Sequence, residues 1–278
     1  MKFLRFKTKI NNDIKTGYLE NNKVFELEKD ILEYFNSNFD DIKKDITNTY
    51  KIEEIIIINP VNPSKIVCVG LNYKDHAKEL NMELPDTPKL FIKPSTSVIG
   101  TNDNIIKPNM SNEIDYEGEL AIVIGKKCKN VEVDESNDYI FGYTVLNDVT
   151  ARDVQRYDEQ WTRGKSFDTF APIGPVIETN LNPQNQKIKT TILKENKDET
   201  TDERKNQNLI KEIRQDSNTS NMVFNSFELV SFISKVMTLN PGDVIATGTP
   251  PGVGQVKVGE IVEVGIEDIG TLSNKLIK

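Results

Sequence analysis

The sequence of 278 residues predicts a β-rich α+β fold. Short apolar runs that end at glycine, proline or asparagine recur along the chain, and such runs are typical of strands. One segment alone shows a strong helical period. Strand and helix segments do not alternate, which argues against a doubly wound parallel sheet. A hydrophobic fraction of 37% and a charged fraction of 28% describe a globular chain that can bury a sizeable core.

Residues 1–60 are predicted to form a small N-terminal domain attached to a larger one, residues 61–278. The segment Val24–Leu27 is typical of a short strand, and Asp30 is a suitable N-cap for a helix that follows it. Ile55–Ile58 predicts a second strand, which ends at an asparagine–proline turn. The prolines at this turn and just after it mark the predicted boundary between the two domains.

In the larger domain, we predict one amphipathic helix and several strands. Asn225 and Glu228 form a capping-box pattern before an apolar stripe that includes Val230 and Val236. Residues 194–211 are dense in charge and predict a solvent-exposed insertion between two strands. The predicted strands are Lys65–Gly70, Glu119–Gly125, Tyr139–Asn147, Pro172–Glu178, Asp243–Thr247 and Glu260–Ile266.

The chain carries 35 Lys and Arg against 43 Asp and Glu, a net charge of -8. This balance argues against a nucleic-acid-binding protein, but not against an anionic substrate in a local cationic or metal-bearing pocket. No apolar run is long enough for a membrane-spanning helix, and the first residues lack the apolar core of a signal peptide. Cys68 lies in an apolar strand and predicts a core thiol rather than a disulfide. We therefore expect a cytoplasmic protein without nucleic-acid or membrane partners.

Three carboxylates are candidate ligands of a hard cation. Glu117 and Glu119 are two residues apart at the start of a predicted strand, so their side chains should share one face. Asp148 follows another predicted strand, at a turn into a predicted helix. A divalent cation relieves the repulsion between buried carboxylates, and oxygen ligands favour Mg²⁺, Mn²⁺ or Ca²⁺ over zinc. Taken singly, the glutamates also fit an exposed edge strand, and Asp148 also fits a helix cap.

The only histidine of the chain is a candidate general base. His76 and Glu79 are three residues apart in a polar segment, so on a helical turn they are neighbours. A carboxylate beside an imidazole orients the ring and raises its basicity, which suits proton transfer. The segment alone equally fits an exposed histidine on a polar helix.

Three further polar residues are candidates for contact with an anionic substrate or intermediate. Lys165 stands between a glycine and a serine before a predicted strand, where a buried ammonium would stabilise developing negative charge. Arg152 and Gln155 are one helical turn apart after Asp148 and can face the same pocket. Each of these residues also fits an ordinary exposed surface.

A glycine- and threonine-rich turn follows the predicted strand Asp243–Thr247. Gly248 and Thr249 in this turn can offer a backbone N–H and a hydroxyl to a carboxylate. The turn lacks the Gly-Lys-Ser/Thr ending of a phosphate-binding loop, so the sequence does not predict nucleotide binding.

Taken together and in order, seven segments resemble the fumarylacetoacetate hydrolase (FAH) family, in its branch of acylpyruvases and 2-hydroxyhepta-2,4-diene-1,7-dioate isomerases. They run from about Lys65 to the C-terminus, and the first 60 residues resemble the small domain that many bacterial and archaeal members carry. The charged insertion, 194–211, departs from the pattern but interrupts no motif. The segments are GLNYKDHAKE, LFIKPSTSVIG, DYEGELAIVIG, GYTVLNDVTARDVQ, KSFDTFAPIGP, RQDSNTSNMVF and PGDVIATGTPPGVG.

The resemblance implies a FAH-type mixed β-sandwich roll, usually dimeric, with one Mg²⁺ or Mn²⁺ per subunit and Ca²⁺ as a substitute in crystals. It also implies a role for each matching residue, and it places His76 and Glu79 on a segment that tends to close over the ligand. The implied metal ligands are Glu117, Glu119 and Asp148; the implied catalytic residues are His76, Glu79 and Lys165; the implied substrate-binding residues are Arg152, Gln155, Gly248 and Thr249.

The predicted function is that of a divalent-metal-dependent enzyme acting on 2-oxo acids through a metal-bound enolate. The expected reaction is hydrolysis of a C–C bond in an acylpyruvate or a fumarylacetoacetate-like substrate. Decarboxylation, tautomerisation or isomerisation of oxo-diacids such as oxaloacetate passes through the same enolate and is an open alternative. A non-catalytic, metal-dependent dicarboxylate-binding protein is another, although binding alone needs no base such as His76. The predicted partners are a small 2-oxo acid or dicarboxylate and a second copy of the chain.

Overall fold

The computed structural model of the protein describes residues 1–195 and 209–278, and within these ranges it confirms the predicted β-rich α+β class. The α-helices are α1 (Phe39–Lys44), α2 (Lys74–Glu79), α3 (Arg152–Asp158), α4 (Thr162–Lys165) and α5 (Ser226–Val236). The strands are β1 (Lys2–Thr8), β2 (Lys15–Glu20), β3 (Lys23–Leu27), β4 (Ile46–Lys51), β5 (Ile55–Ile58), β6 (Lys65–Gly70), β7 (Lys89–Pro94), β8 (Val98–Ile99), β9 (Asn104–Ile106), β10 (Ile114–Tyr116), β11 (Gly118–Ile124), β12 (Ile140–Asn147), β13 (Thr150–Ala151), β14 (Ala171–Glu178), β15 (Lys187–Glu195), β16 (Leu209–Asn218), β17 (Val244–Ala246), β18 (Gly254–Gln255), β19 (Ile261–Ile266) and β20 (Gly270–Ile277).

The strands form three sheets within the described ranges. The largest has twelve strands in the order β4-β3-β2-β1-β14-β12-β11-β17-β6-β7, with β5 paired to β1 and β8 paired to β14. A second sheet has the order β16-β15-β19-β20-β9, and a small third one has the order β13-β10-β18. The strand β11 lies inside the large sheet, antiparallel to both β12 and β17.

Both faces of β11 are buried, because another layer covers each side of it. Leu120 and Ile122 belong to a core that also contains Val264 of the five-stranded sheet. Ala121 and Val123 alternate with them and belong to a second core that contains Phe3 from the N-terminal segment. Full burial of each large aliphatic side chain contributes about 1.5–3 kcal/mol, so this strand is a firmly packed frame for the residues at its start.

The N-terminal segment continues the large sheet. β1 pairs antiparallel with β14, with Phe3 opposite Ile177, so the strands of the first 58 residues join those that follow. The strands predicted at Val24–Leu27 and Ile55–Ile58 are confirmed. Asp30 does cap a helix, but only a single 3₁₀ turn. That residues 1–60 form a domain of their own stays a prediction.

The predicted helix α5 is confirmed, including the capping box between Asn225 and Glu228. Its buried face contains Leu229, Val230 and Ile233. Val236, predicted for the apolar stripe, is the last residue of the helix and is 55% exposed. In the described residues, no helix combines the length and apolar character that a membrane crossing requires.

The two ends of the predicted charged insertion, residues 194–211, are part of paired strands. Lys194 pairs with Ile210 and Glu195 with Leu209, so both ends of the insertion belong to β15 and β16. Its centre, residues 196–208, lies outside the described residues. The strand β16 then runs from this insertion towards the residues predicted for the site.

Candidate active site

The pairing of β11 with β12 brings the three predicted carboxylates together. Gly118 is opposite Asn147 in this pairing. At the next pair of residues, the backbone N–H of Asp148 donates to the carbonyl of Glu117 over 2.8 Å. Glu119 is two residues from Glu117 on the same side of the chain. Carboxylate oxygens of the three residues all lie within 4.8 Å of one another. The residues are 8%, 2% and 0% exposed for Glu117, Glu119 and Asp148, so the cluster is inside the protein.

Basic side chains balance two of the three carboxylates. The ammonium of Lys165 donates to Glu117 Oε2 and to Asp148 Oδ2, each over 2.7 Å. Lys93, fully buried on β7, pairs with Asp148 and also donates to the carbonyl of Val149 over 3.0 Å. The result is a buried network of alternating charges around Asp148.

Arg152, the first residue of α3, binds the cluster from the other side. Its guanidinium pairs with Glu117, and it donates to Asp115 over 2.8 Å and to Gln155 over 2.5 Å. Burial raises the pKa of Glu117, but the charges of Lys165 and Arg152 outweigh it and lower the pKa to about 2. Glu117 is therefore a stable anion.

Glu119 differs from its two neighbours. Burial, then the charges of Asp148 and Glu117, raise its pKa well above the ordinary value. One carboxylate oxygen accepts from the backbone N–H of Gly248 over 2.8 Å, and in the ranges 1–195 and 209–278 the carboxylate enters no ion pair. A buried anion without a countercharge is costly, and a divalent cation would supply one.

The donor set fits a divalent metal. The clustered ligand atoms are carboxylate oxygens, and among the described residues no cysteine or histidine joins the group. Such oxygen ligands suit hard cations rather than zinc. The cluster can therefore hold a divalent ion, with Glu119 as the ligand that gains most from it.

The predicted histidine–glutamate pair lies on the short helix α2, which faces the carboxylate cluster across a cavity. His76 Nδ1 lies 2.8 Å from Glu79 Oε2, and Glu79 also accepts from the backbone N–H of Gly252 over 3.1 Å. Because Nδ1 is bound to Glu79, Nε2 is the ring nitrogen left for proton exchange. The carboxylate of Asp75 anchors this short helix to Ser217 of β16 over 2.6 Å.

A cavity of about 360 Å³ lies between the carboxylates and α2. The predicted residues that line it are His76, Glu117, Glu119, Arg152, Gln155, Lys165 and Thr249. Glu79, Asp148 and Gly248 lie behind this lining and contact it through His76, Lys165 and Glu119. The rest of the lining combines apolar side chains, among them Phe91 and Trp161, with the charged residues Lys89, Arg156 and Glu159. The rings of Phe91 and Trp161 are in edge-to-face contact at a ring-centroid distance of 5.2 Å.

Two predicted substrate-binding groups have protein partners in this structure. The N–H of Gly248 donates to Glu119, as described above. The hydroxyl of Thr249 donates to the carbonyl of Gly118 over 2.9 Å and accepts from the side chain of Gln215 over 2.8 Å. Because a hydroxyl has one proton, Thr249 cannot donate to a substrate while this bond persists. Substrate contact by either residue stays a prediction.

Sequence reasoning overlooked Lys93, Trp161 and Gln215. Lys93 lies in the motif LFIKPSTSVIG, and a lysine inside an apolar strand signals a buried charge only when its partner is known. Trp161 precedes the predicted Lys165 by four residues, one helical turn, and its ring packs against Gly70. Gln215 lies 97 residues from Gly118, so no local pattern links the two.

A model of the fumarylacetoacetate (FAA) hydrolase C-terminal domain matches residues 65–277. The chain belongs to this family. The match confirms that the seven segments resemble the FAH family. The chain is an enzyme of this family. An uncharacterized protein of Methanocaldococcus jannaschii is 53% identical over 85% of this chain and 90% of its own length. A rat protein named oxaloacetate tautomerase Fahd2a, mitochondrial, is 41% identical over 81% of this chain and 70% of its own length.

Solved structures of this family share the whole fold. The 5-carboxymethyl-2-hydroxymuconate delta-isomerase of Mycobacterium smegmatis is 35% identical with a TM-score of 0.83, over 100% of this chain and 99% of that one. Maleylpyruvate hydrolase of Sphingobium sp. SYK-6, in complex with manganese(II) and pyruvate, is 26% identical with a TM-score of 0.77, also over 100% and 99%. The FAH-type mixed β-sandwich roll, with its small N-terminal part, is therefore the fold of this chain.

Proposed function

We propose that this member of the FAH family hydrolyses a C–C bond in an acylpyruvate or a fumarylacetoacetate-like 2-oxo acid, with Mg²⁺ or Mn²⁺ as cofactor. The observation that carries the proposal is the convergence of three buried carboxylates across one cavity from the His76–Glu79 pair. The related maleylpyruvate hydrolase that holds manganese(II) and pyruvate supports both the kind of ion and the kind of ligand.

In this proposal, Glu117, Glu119 and Asp148 hold the ion. When bound, the ion supplies Lewis acidity and a template that a 2-oxo acid can chelate through its carboxylate and 2-oxo oxygens. Glu119 would bind the ion through its ionised carboxylate. Because burial raises the pKa of Glu119, the ion would displace a proton from this carboxylate when it binds.

The cleavage itself is assigned to side chains of this chain. His76 takes a proton from water at Nε2, and the hydroxyl adds to the distal acyl carbonyl carbon. The bond between that carbon and the pyruvate unit then breaks, and its electron pair forms the pyruvate enolate. Lys165 stabilises the enolate oxygen as a charged donor. Transfer of this proton from His76 to the enolate carbon yields pyruvate and a free carboxylic acid, so the net reaction consumes one water.

Glu79 and Arg152 position the reacting groups. Glu79 holds His76 Nδ1, which fixes the ring orientation, and its second bond to Gly252 holds α2 against the glycine-rich turn. Arg152 is shared between Asp115, Glu117 and Gln155 at the border of the cavity, where its charge attracts an anionic substrate. The rings of Phe91 and Trp161 in the lining would shield the enolate from water on their side of the cavity.

A second candidate is tautomerisation, decarboxylation or isomerisation of an oxo-diacid. The rat relative named oxaloacetate tautomerase and the M. smegmatis structure named as an isomerase favour it. The same lysine and histidine would serve, because an enolate forms in each reaction. A dicarboxylate-binding protein without activity is the third candidate, and the aligned His76–Glu79 pair argues against it.

A substrate panel separates these candidates. The protein, saturated with Mn²⁺ or Mg²⁺, is assayed with acetylpyruvate, longer acylpyruvates, fumarylpyruvate and oxaloacetate. Pyruvate plus a free acid indicates hydrolysis, CO₂ release indicates decarboxylation, and a change in enol absorbance alone indicates tautomerisation. Addition of EDTA is expected to abolish turnover and excess Mn²⁺ to restore it. Oxalate binding without turnover on the whole panel would contradict both enzymatic proposals.

We further propose that the protein is a cytoplasmic homodimer, as the FAH family resemblance implies. Light scattering at several protein concentrations tests the dimer, and fractionation of source cells tests the location. Mg²⁺, Mn²⁺ and Ca²⁺ are compared by their ability to restore turnover after EDTA treatment.

A further inference from the structure

A fully buried glutamine joins the start of β11 to the glycine-rich turn that follows β17. Gln215 lies on β16 and is 0% exposed. Its carbonyl oxygen accepts from the backbone N–H of Gly118 over 3.0 Å and from the hydroxyl of Thr190 over 2.7 Å. Its amide nitrogen donates to the hydroxyl of Thr249 and to the carbonyl of Pro250, each over 2.8 Å. All four hydrogen-bonding positions of the side chain are thus used inside the protein.

Gly118 lies between Glu117 and Glu119 in the sequence, so contacts to Gly118 also affect the positions of the two carboxylates. Alternation along β11 directs the two glutamates to one side and Gly118 to the other, where the five-stranded sheet packs. A Cβ atom on Gly118 would lie 2.4 Å from Thr190 Oγ1 and 3.2 Å from Gln215 Oε1. Thr190, together with Val264 at 2.8 Å, therefore requires glycine between the two carboxylates, and Gln215 packs tightly against the same position.

Three hydrogen bonds close a ring around Gly118. Its N–H donates to Gln215, the amide of Gln215 donates to Thr249, and the hydroxyl of Thr249 donates back to the carbonyl of Gly118. Both peptide groups at Gly118 are therefore held from the rear of β11. Gln215 also donates to the carbonyl of Pro250 and so holds the glycine-rich turn. In this turn the N–H of Gly248 donates to Glu119, so Gln215 also helps to position the Glu119 carboxylate.

We propose that Gln215 is a positioning residue that sets the spacing of Glu117 and Glu119 for a divalent ion. The inference rests on the proposed metal-dependent function. Two buried carboxylates repel each other, and a backbone fixed between them opposes their separation. Outer-shell partners of metal ligands typically change metal affinity or activity by about 10- to 100-fold when removed. We expect an effect of this size, even though Gln215 contacts neither the ion nor the substrate.

The test compares Mn²⁺ binding in two glutamine variants. Gln215→Met keeps the length of the side chain and removes all four hydrogen bonds. Gln186→Met is the matched control, since Gln186 is also buried and bonds Asn182 and Asp268 through its amide, away from the cavity. Both variants lose a buried amide network and should lose similar stability. Titration of free Mn²⁺ by electron paramagnetic resonance is expected to show weaker affinity, by about 10- to 100-fold, for Gln215→Met alone.

A second pair of variants cuts the ring elsewhere. Thr249→Val removes the hydroxyl with little change of shape, and Thr249→Ser retains it. We expect Thr249→Val to weaken Mn²⁺ binding in the same direction and Thr249→Ser to bind as the wild type does. This pair keeps the test decisive if Gln215→Met does not fold.

The outcomes separate the two claims. Equal Mn²⁺ affinity in the wild type and in a folded Gln215→Met or Thr249→Val variant would overturn the positioning role but leave the proposed function intact. Equal loss of affinity in Gln186→Met would also overturn it, because general destabilisation would then explain the effect. Failure of the wild type itself to bind Mn²⁺ would instead contradict the proposed metal-dependent function.

Discussion

The two walls of the cavity are built in opposite ways. On one wall, Glu117, Asp148 and Lys165 are buried in the large sheet and its short connections, and buried ion pairs hold them. On the other wall, His76 and Glu79 stand on a six-residue helix, and Leu80, which follows it, is 49% exposed. A few side-chain hydrogen bonds fasten this helix to the rest of the chain.

Because the two walls are held differently, we expect metal affinity and proton transfer to respond to different substitutions. The sheet wall fixes its charges when the protein folds, because moving any of them would break a buried ion pair. The helix wall depends on a small number of exchangeable contacts, so it can move when a substrate enters. Changes on the sheet wall should therefore alter metal binding, and those that break an ion pair should also lower stability. Changes on the helix wall should alter kcat or KM and leave metal affinity unchanged.

The largest effect is expected from Asp148→Asn. The substitution leaves Lys93 and Lys165 without their shared anion, and loss of one partner of a buried ion pair costs about 3–5 kcal/mol. Urea unfolding monitored by circular dichroism measures this loss of stability. Mn²⁺ binding should be lost as well.

Glu119→Gln is the matched control for Asp148→Asn. Glutamine keeps an acceptor for the Gly248 N–H, and it removes a carboxylate whose raised pKa shows that the folded protein disfavours its charge. The free energy of unfolding without metal should therefore stay the same or rise, whereas Mn²⁺ affinity should fall strongly. Equal destabilisation by both variants would contradict the assignment of the ion pairs to Asp148.

On the helix wall, His76→Ala should lower turnover by about 10²- to 10⁴-fold, the usual contribution of a positioned general base. Mn²⁺ affinity and the urea midpoint should stay at their wild-type values, because the imidazole contacts Glu79 and not the carboxylate cluster. Steady-state kinetics on the substrate found by the panel provides the measurement. A simultaneous loss of Mn²⁺ affinity would show that the two walls are not independent.

The pH dependence of metal binding should originate on the sheet wall. Because the pKa of Glu119 is raised, its protonated form prevails below that pKa, and the ion must displace one proton. The Mn²⁺ dissociation constant should rise by about tenfold for each unit that the pH falls in this range. Calorimetry in two buffers of different ionisation enthalpy measures the proton released. A pH-independent affinity would exclude Glu119 as the titrating ligand.

The smallest effect is expected from Asp75→Ala, which removes the bonds from α2 to Ser217 and Asn221. A looser α2 should raise KM or lower kcat by about tenfold, the factor that corresponds to about 1.5 kcal/mol for one hydrogen bond to a charged group. Asp30→Ala, at the cap of the 3₁₀ turn far from the cavity, is the control and should leave KM and kcat unchanged. Unaltered kinetics in Asp75→Ala would mean that Glu79 alone positions the helix.

Much of this arrangement could be predicted from the sequence, because local patterns specify it. Continuous apolar runs gave β6 and β12 nearly to the residue, and a capping box fixed the start of α5. Glu117 and Glu119 were found because their spacing of two is a property of one strand. Asp148 is a candidate because it follows a predicted strand at a turn, and its place in a family motif supports the assignment.

The missing parts depend on contacts between distant segments. Lys93 looks like a solvent-facing lysine until β7 is placed beside Asp148, and Gln215 looks like a surface residue until β16 packs behind β11. The family resemblance implies that Thr249 binds the substrate, but its hydroxyl donates to the carbonyl of Gly118 and accepts from Gln215. Spacing along the chain carries no information on such partnerships.

Lys165 stabilises the carboxylate cluster by its own charge. Its ammonium, together with that of Lys93, offsets the repulsion within the carboxylate group whether or not an ion is present. The polypeptide should therefore acquire its native shape first and load its metal afterwards, unlike a zinc finger, whose folding waits for the ion. One metal could then replace another by diffusion through the cavity opening, without unfolding of the chain. The relative concentrations of the divalent ions in the cell would determine which of them occupies the site.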